Sequence, residues 1–125
     1  MISAVHDTKT ILVVEDDEDS REMLCELLSL LGYEVGSAAS GENALAALKQ
    51  TGFDVLLTDI SLPGMSGVDL ARQARALHPA LNVIFASGYS GIIGVEFPFY
   101  ALLKPYDLAQ LQKVLEQAVE AAPGN

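Results

Sequence analysis

The sequence predicts an α/β domain, a doubly wound five-stranded parallel sheet with helices on both faces. Short apolar runs of strand length alternate with stretches of helical periodicity, a β-α unit repeated five times with one degenerate helix. That alternation implies parallel strands joined by crossover helices. The clearest strand runs are continuously apolar, as expected of strands covered on both faces. Half of the 125 residues are apolar, which is enough for one packed core and one domain.

The elements follow in order. Residues 1–9 are polar and read as a tail. Ile11–Val14 is the first strand. Met23, Leu24, Leu27, Leu28 and Leu31 form the stripe of an amphipathic helix, which Gly32 is placed to end. Tyr33, Val35 and Ser37 suit a less buried edge strand. Ser40 can cap a second helix carrying Ala44, Leu45 and Leu48. Val55–Thr58 is a buried strand ending at Asp59, and the loop from Ile60 to Ser66 turns at Pro63 and Gly64. A third helix buries Leu70, Ala71, Ala74 and Leu77 and stops at His78-Pro79. Val83–Ala86 is a fourth strand. From Tyr89 to Tyr100 the chain is Gly-rich, apolar and broken by Pro98, with room for one or two helical turns at most. Ala101–Leu103 is a short fifth strand. A last helix starts near Asp107 and turns Leu108, Leu111, Leu115 and Ala118 inward. The domain is therefore expected over residues 10–121, with 122–125 a second tail.

Composition excludes several classes of function. Seven lysines and arginines against 17 aspartates and glutamates give a formal charge of −10, which argues against nucleic acid or an anionic membrane as partner. The apolar runs fall far short of the ~20 residues that span a bilayer, and no signal peptide opens the chain, so a cytoplasmic protein is expected. A single cysteine, Cys25, rules out an internal disulfide and a multi-cysteine zinc site. Neither glycine-rich nucleotide fingerprint is present.

In an open parallel sheet, ligands sit beyond the carboxyl ends of the strands. There the first strand leaves Glu15-Asp16-Asp17-Glu18-Asp19, the third Asp59, the fourth Ser87-Gly88 and the fifth Lys104-Pro105. Five acids after the first strand would repel a flavin phosphate. Asp16 and Asp59 brought close together repel one another unless a proton or cation intervenes. Mg²⁺ answers that need, since it takes oxygen ligands, keeps its waters and requires few protein groups. With the lysine and the serine hydroxyl beside it, such a site favours phosphoryl transfer onto a carboxylate. A phosphatase of the aspartyl-phosphate type would need a second carboxylate two residues after the nucleophile, and position 61 is Ser.

Three segments carry a resemblance: Ile11–Asp17, Asp54–Gly67 and Leu103-Lys104-Pro105-Tyr106. Together they are similar to the receiver domain of bacterial response regulators over about residues 10 to 120, and Asp59-x-x-x-Pro63-x-Met65-x-Gly67 is the most specific part. The resemblance implies a flavodoxin-like sheet of order 2-1-3-4-5. It implies that Asp59 accepts a phosphoryl group from a phosphohistidine on a histidine kinase or histidine phosphotransfer protein. Asp16, Asp59 and the Ser61 carbonyl would bind Mg²⁺ directly, and Glu15 through a metal-bound water. Ser87 would turn toward the phosphoryl group and Lys104 would pair with it; in the family the bond from this lysine to the following proline is usually cis. The output would be a switch in conformation and in binding to a downstream protein. The enzyme activity implied is the domain's own phosphorylation and dephosphorylation.

The chain also departs from the family. The interval from Ser87 to Lys104 is short, so the fourth helix should be truncated or remodelled, and Ala101 stands where many members carry an aromatic switch. Phe85-Ala86-Ser87-Gly88-Tyr89 resembles receivers that stand alone or are attached to sensor kinases. A receiver-shaped binding module that is not phosphorylated is the alternative. No effector domain fits in the 125 residues, so output is expected through a partner or a larger polypeptide. Asp17, Glu18 and Asp19 suit the start of a helix, while His6, His78 and Cys25 read as structural. Phe97, Phe99 and Tyr100 either form a partner-binding cluster or cover the sheet where the helix is missing.

Overall fold

The computed structural model describes residues 8–89 and 91–120; His6 and the 122–125 tail lie outside them. The strands are β1 (Thr10–Val14), β2 (Glu34–Ala38), β3 (Val55–Asp59), β4 (Asn82–Ser87) and β5 (Tyr100–Leu103). All pair in parallel in the order β2-β1-β3-β4-β5. The helices are α1 (Glu18–Leu30), α2 (Gly41–Gln50), α3 (Gly67–Leu77) and α4 (Leu108–Glu120).

Side-chain alternation along the strands divides the core in two. Leu12, Val14, Leu56, Val83 and Phe85 face α2 and α3, where Ala44, Leu48, Leu70, Ala71 and Ala74 meet them. Ile11, Val13, Val55, Leu57 and Ile84 face Leu28 of α1 and Leu111, Leu115 and Ala118 of α4. Both faces are covered, which is why the runs read as continuously apolar. Each fully buried large aliphatic or aromatic side chain contributes roughly 1.5–3 kcal/mol.

Local signals end the helices where the sequence places them. Asp17 accepts from the Ser20 amide, Ser40 from Asn43 and Ser66 from Asp69, capping α1, α2 and α3. Gly32 (φ +99°) closes α1: its amide bonds the Ser29 carbonyl and the Tyr33 amide bonds Leu28, the double bond of a Schellman turn. His78 ends α3 and bonds the Leu48 carbonyl of α2 through Nε2 at 2.6 Å. Cys25 is half-buried against the α1/α4 core.

The structure corrects three expectations. Met23, Leu77 and Leu108 are exposed, at 63%, 41% and 49%. The buried stripe of α1 is centred on Leu28, and in α4 Val114 fills an inward place. The first and last apolar positions of a helical stripe project past the sheet, so periodicity overstates their burial. The remodelled fourth helix expected from the short Ser87–Lys104 interval is borne out, since residues 91–99 form no helical turn at all. Two pins from α3 hold this segment extended. Arg72 makes a fork to Glu96 (2.7 and 3.0 Å), and the Arg75 guanidinium lies 5.2 Å from the centre of the Phe97 ring. Phe97 and Phe99 pack on Phe85, with centroids at 6.3 and 5.2 Å, so these aromatics cover the sheet. Tyr100 packs on the opposite face.

Candidate functional site

Sheet register brings the polar residues together. Val14 lies beside Thr58, so the next residues, Glu15 and Asp59, emerge side by side. Asp59 pairs with Ala86 and Ser87 with Leu103, which brings Ser87 and Lys104 to the same rim. The Lys104 amide donates to the Ser87 carbonyl at 2.7 Å. The Lys104–Pro105 peptide is cis. At the other end of Asp59, the loop to α3 folds back so tightly that Gly67 donates to the Ile60 carbonyl at 2.8 Å. A Cβ at position 67 would collide with the Asp59 carbonyl, so only glycine fits. Met65 packs on Gly41 at the start of α2, which anchors the same loop.

The electrostatics centre on Asp59, which is 8% exposed. Lys104 Nζ lies 2.6 Å from Asp59 Oδ1 and 3.8 Å from Glu15 Oε1. Carboxylate oxygens of Glu15, Asp16 and Asp59 all lie within 4.8 Å of one another. Burial pushes the Glu15 carboxyl above its ordinary value and the Asp59 charge adds to this, while the Asp17 amide and Lys104 pull the other way. Burial works to lower the Lys104 ammonium, but the bond to Asp59 and the two carboxylate charges outweigh it and hold its pKa above the ordinary lysine value. Burial also raises the phenol of Tyr106, which stands near all three groups.

Asp59 and Lys104 also line a cavity of about 70 Å³ with Ser61, Ala86, Ser87, Gly88 and Tyr89. That is room for a few water molecules, the scale of a phosphoryl group. The Ser87 hydroxyl is buried and accepts the Tyr89 amide at 3.0 Å. The arrangement can do two things. The three carboxylates offer the hard oxygen donors that a small dication takes, and the mutual repulsion it would relieve. The cavity places a hydroxyl and an ammonium beside the same carboxylate, where an anion bonded to it would be stabilised.

All six residues singled out in the sequence meet at this rim: Glu15, Asp16 and Asp59 in the acidic cluster, Ser61, Ser87 and Lys104 with Asp59 around the cavity. Sequence reasoning missed Arg21, whose Nη1 donates to the Glu15 carbonyl at 2.9 Å. The available signal was its place as the single basic residue of α1.

Comparison with known proteins gives the family and the fold. The family model for the response regulator receiver domain matches residues 11–116. The response regulator receiver protein CpdR of Brucella abortus is 36% identical over 119 residues, covering 91% of this chain and 99% of that one. The sensor kinase CckA of the same organism is 34% identical over 118 residues, covering 89% of this chain but only 12% of the kinase. The crystal structure of the receiver domain from the hybrid histidine kinase CckA superposes with a TM-score of 0.78 at 34% identity, covering 89% of this chain and 99% of that one. The chain belongs to the response regulator receiver family and is a phosphorylation-based signalling domain of two-component systems. Both stand-alone and kinase-attached receivers are among its relatives. Among the described residues, no helix is long and apolar enough to cross a membrane.

Proposed function

We propose that Asp59 is the phosphoacceptor, and that Glu15, Asp16, Asp59 and the Ser61 carbonyl hold Mg²⁺ beside it within a domain spanning residues 10–121. The observation that carries this is the Lys104–Asp59 contact of 2.6 Å at the edge of a three-carboxylate cluster. An Asp59 carboxylate oxygen attacks phosphorus, the phosphorus–nitrogen bond to the donor imidazole breaks, and the imidazole leaves with the electron pair. Bound Mg²⁺ supplies charge neutralisation for the incoming phosphoryl oxygens. Lys104 is already placed to follow the new negative charge. Ser87 turns its hydroxyl from the Tyr89 amide to a phosphoryl oxygen, and that exchange moves the segment after β4.

The donor is a histidine kinase or a histidine phosphotransfer protein. A groove of about 580 Å³ beside the site supports its docking here: it runs from Glu15 and Lys104 between Met23, Leu24 and Leu27 of α1 and Leu108 and Leu111 of α4. Met23 and Leu108, which project past the sheet and stay exposed, give such a seat an apolar lining. A cytoplasmic setting and a downstream protein partner complete the reading. The test is incubation with Mg²⁺ and acetyl phosphate followed by intact mass measurement. One phosphoryl mass should be gained by the parent and lost in Asp59→Asn and on chelation. An inert parent would favour the unphosphorylated binding module.

A further inference from the structure

We infer that Arg21 is a positioning residue for the cation site: from the first turn of α1 it holds the strand end that presents Glu15 and Asp16. The inference rests on the Mg²⁺ reading above. Arg21 Nη1 donates to the Glu15 carbonyl at 2.9 Å, and the Glu15 amide is tied on the other side to Ala38 of β2 at 3.2 Å. The Asp17 amide bonds Glu15 Oε2 at 3.0 Å, and the Arg21 amide bonds the Asp17 carbonyl at 2.9 Å. Residues 15 and 17 are therefore held from several directions. Asp16, exposed between them, makes no hydrogen bond among the described residues and keeps its carboxylate free.

The choice of acceptor is informative. Arg21 stands next to an acidic cluster, yet it makes no ion pair with a carboxylate among the described residues and spends a donor on a neutral carbonyl. It fastens the backbone without occupying an oxygen the cation would use. Groups that orient metal ligands from behind commonly change metal affinity tenfold or more when removed.

Position and charge make opposite predictions here. A guanidinium near the site repels Mg²⁺, so if charge were its only effect, removing it would tighten binding. If it holds the strand end, removing it loosens binding. Calorimetric titration of Mg²⁺ into the metal-free protein at fixed ionic strength decides between them. Arg21→Met keeps the stem and loses both charge and donor; it should weaken Mg²⁺ about tenfold. Arg21→Lys, which keeps one donor and the charge, should stay within about threefold of the parent, because a single bond rather than a fork is being replaced. Arg21→Gln is well tolerated on a helix surface but two bonds too short to reach the carbonyl. It should weaken binding as Arg21→Met does, and it decides the matter if a melt shows Arg21→Met unfolded.

Unchanged or tighter binding in the Met or Gln variant overturns the inference, as does an equal loss in the Lys variant. A parent that binds no Mg²⁺ overturns the cation site, and this inference with it. A parent that binds, with an affinity indifferent to Arg21, overturns this inference alone.

Discussion

Removing the ammonium between Glu15 and Asp59 tests the electrostatic core of the site. In Lys104→Met the stem remains, but the charge 2.6 Å from Asp59 and 3.8 Å from Glu15 is gone. Two carboxylates whose side chains are only 10% and 13% exposed are left without their cation. Breaking a fully buried pair costs about 3–5 kcal/mol, while an exposed pair is worth about 0–1 kcal/mol. The Lys104 side chain is 40% exposed and its acceptors are nearly buried, so the cost lies between, at about 1.5–2 kcal/mol. For a chain of this length that lowers Tm by roughly 5–8 °C in chelator at neutral pH. Asp59→Asn removes the repelling charge instead and should stabilise by up to about 1 kcal/mol. Combined with Asp59→Asn, Lys104→Met should cost far less than alone, a coupling of about 1–2 kcal/mol between groups in contact. Thermal melts of the four proteins complete the cycle. Lys104→Met melting within about 1 °C of the parent, or strict additivity with Asp59→Asn, would refute the reasoning.

Other consequences can be measured as readily. Asp16→Ala should weaken Mg²⁺ binding and phosphorylation by acetyl phosphate, yet leave the metal-free melting temperature unchanged or higher, since an exposed, unbonded carboxylate in a repelling cluster is lost; a clearly lower melting temperature would contradict the cluster account. Because the folded Glu15 pKa is raised, the native state holds that proton more tightly, so stability should fall as pH rises from the ordinary carboxyl value of 4.5 through the folded value. Glu15→Gln should remove that part of the slope in urea titrations followed by pH. The Glu96 carboxyl is held down at about 2 by Arg72, so the pin on residues 91–99 should be intact above pH 4.5 and lost as pH falls toward 2. Arg72→Ala should reproduce the loss at neutral pH, seen as faster amide exchange at Val95 and Phe97 with the rest of the sheet unchanged.

The site was legible because its residues need only two facts to be brought together: each follows an apolar run, and parallel strands end at the same rim. Once Val14 and Thr58 are neighbours, Glu15 and Asp59 have nowhere else to go. Two helix ends were legible for a similar reason, since Ser40 acts on an amide three residues away and Gly32 on its own φ. What escaped depends on contacts distant in sequence. The segment before β5 has no periodicity of its own, because its conformation is set by Arg72 and Arg75 of α3, more than 20 residues upstream. Phe97 and Phe99 could be assigned to the sheet only once Phe85 was seen beneath them. The same cause explains Met23 and Leu108, where an apolar stripe says which face is inward but not how far the sheet extends beneath it. A local pattern specifies an element, but whether its last apolar side chain lies in the core or beside the phosphoacceptor depends on the neighbouring element, and that difference separates a structural leucine from one available to a partner.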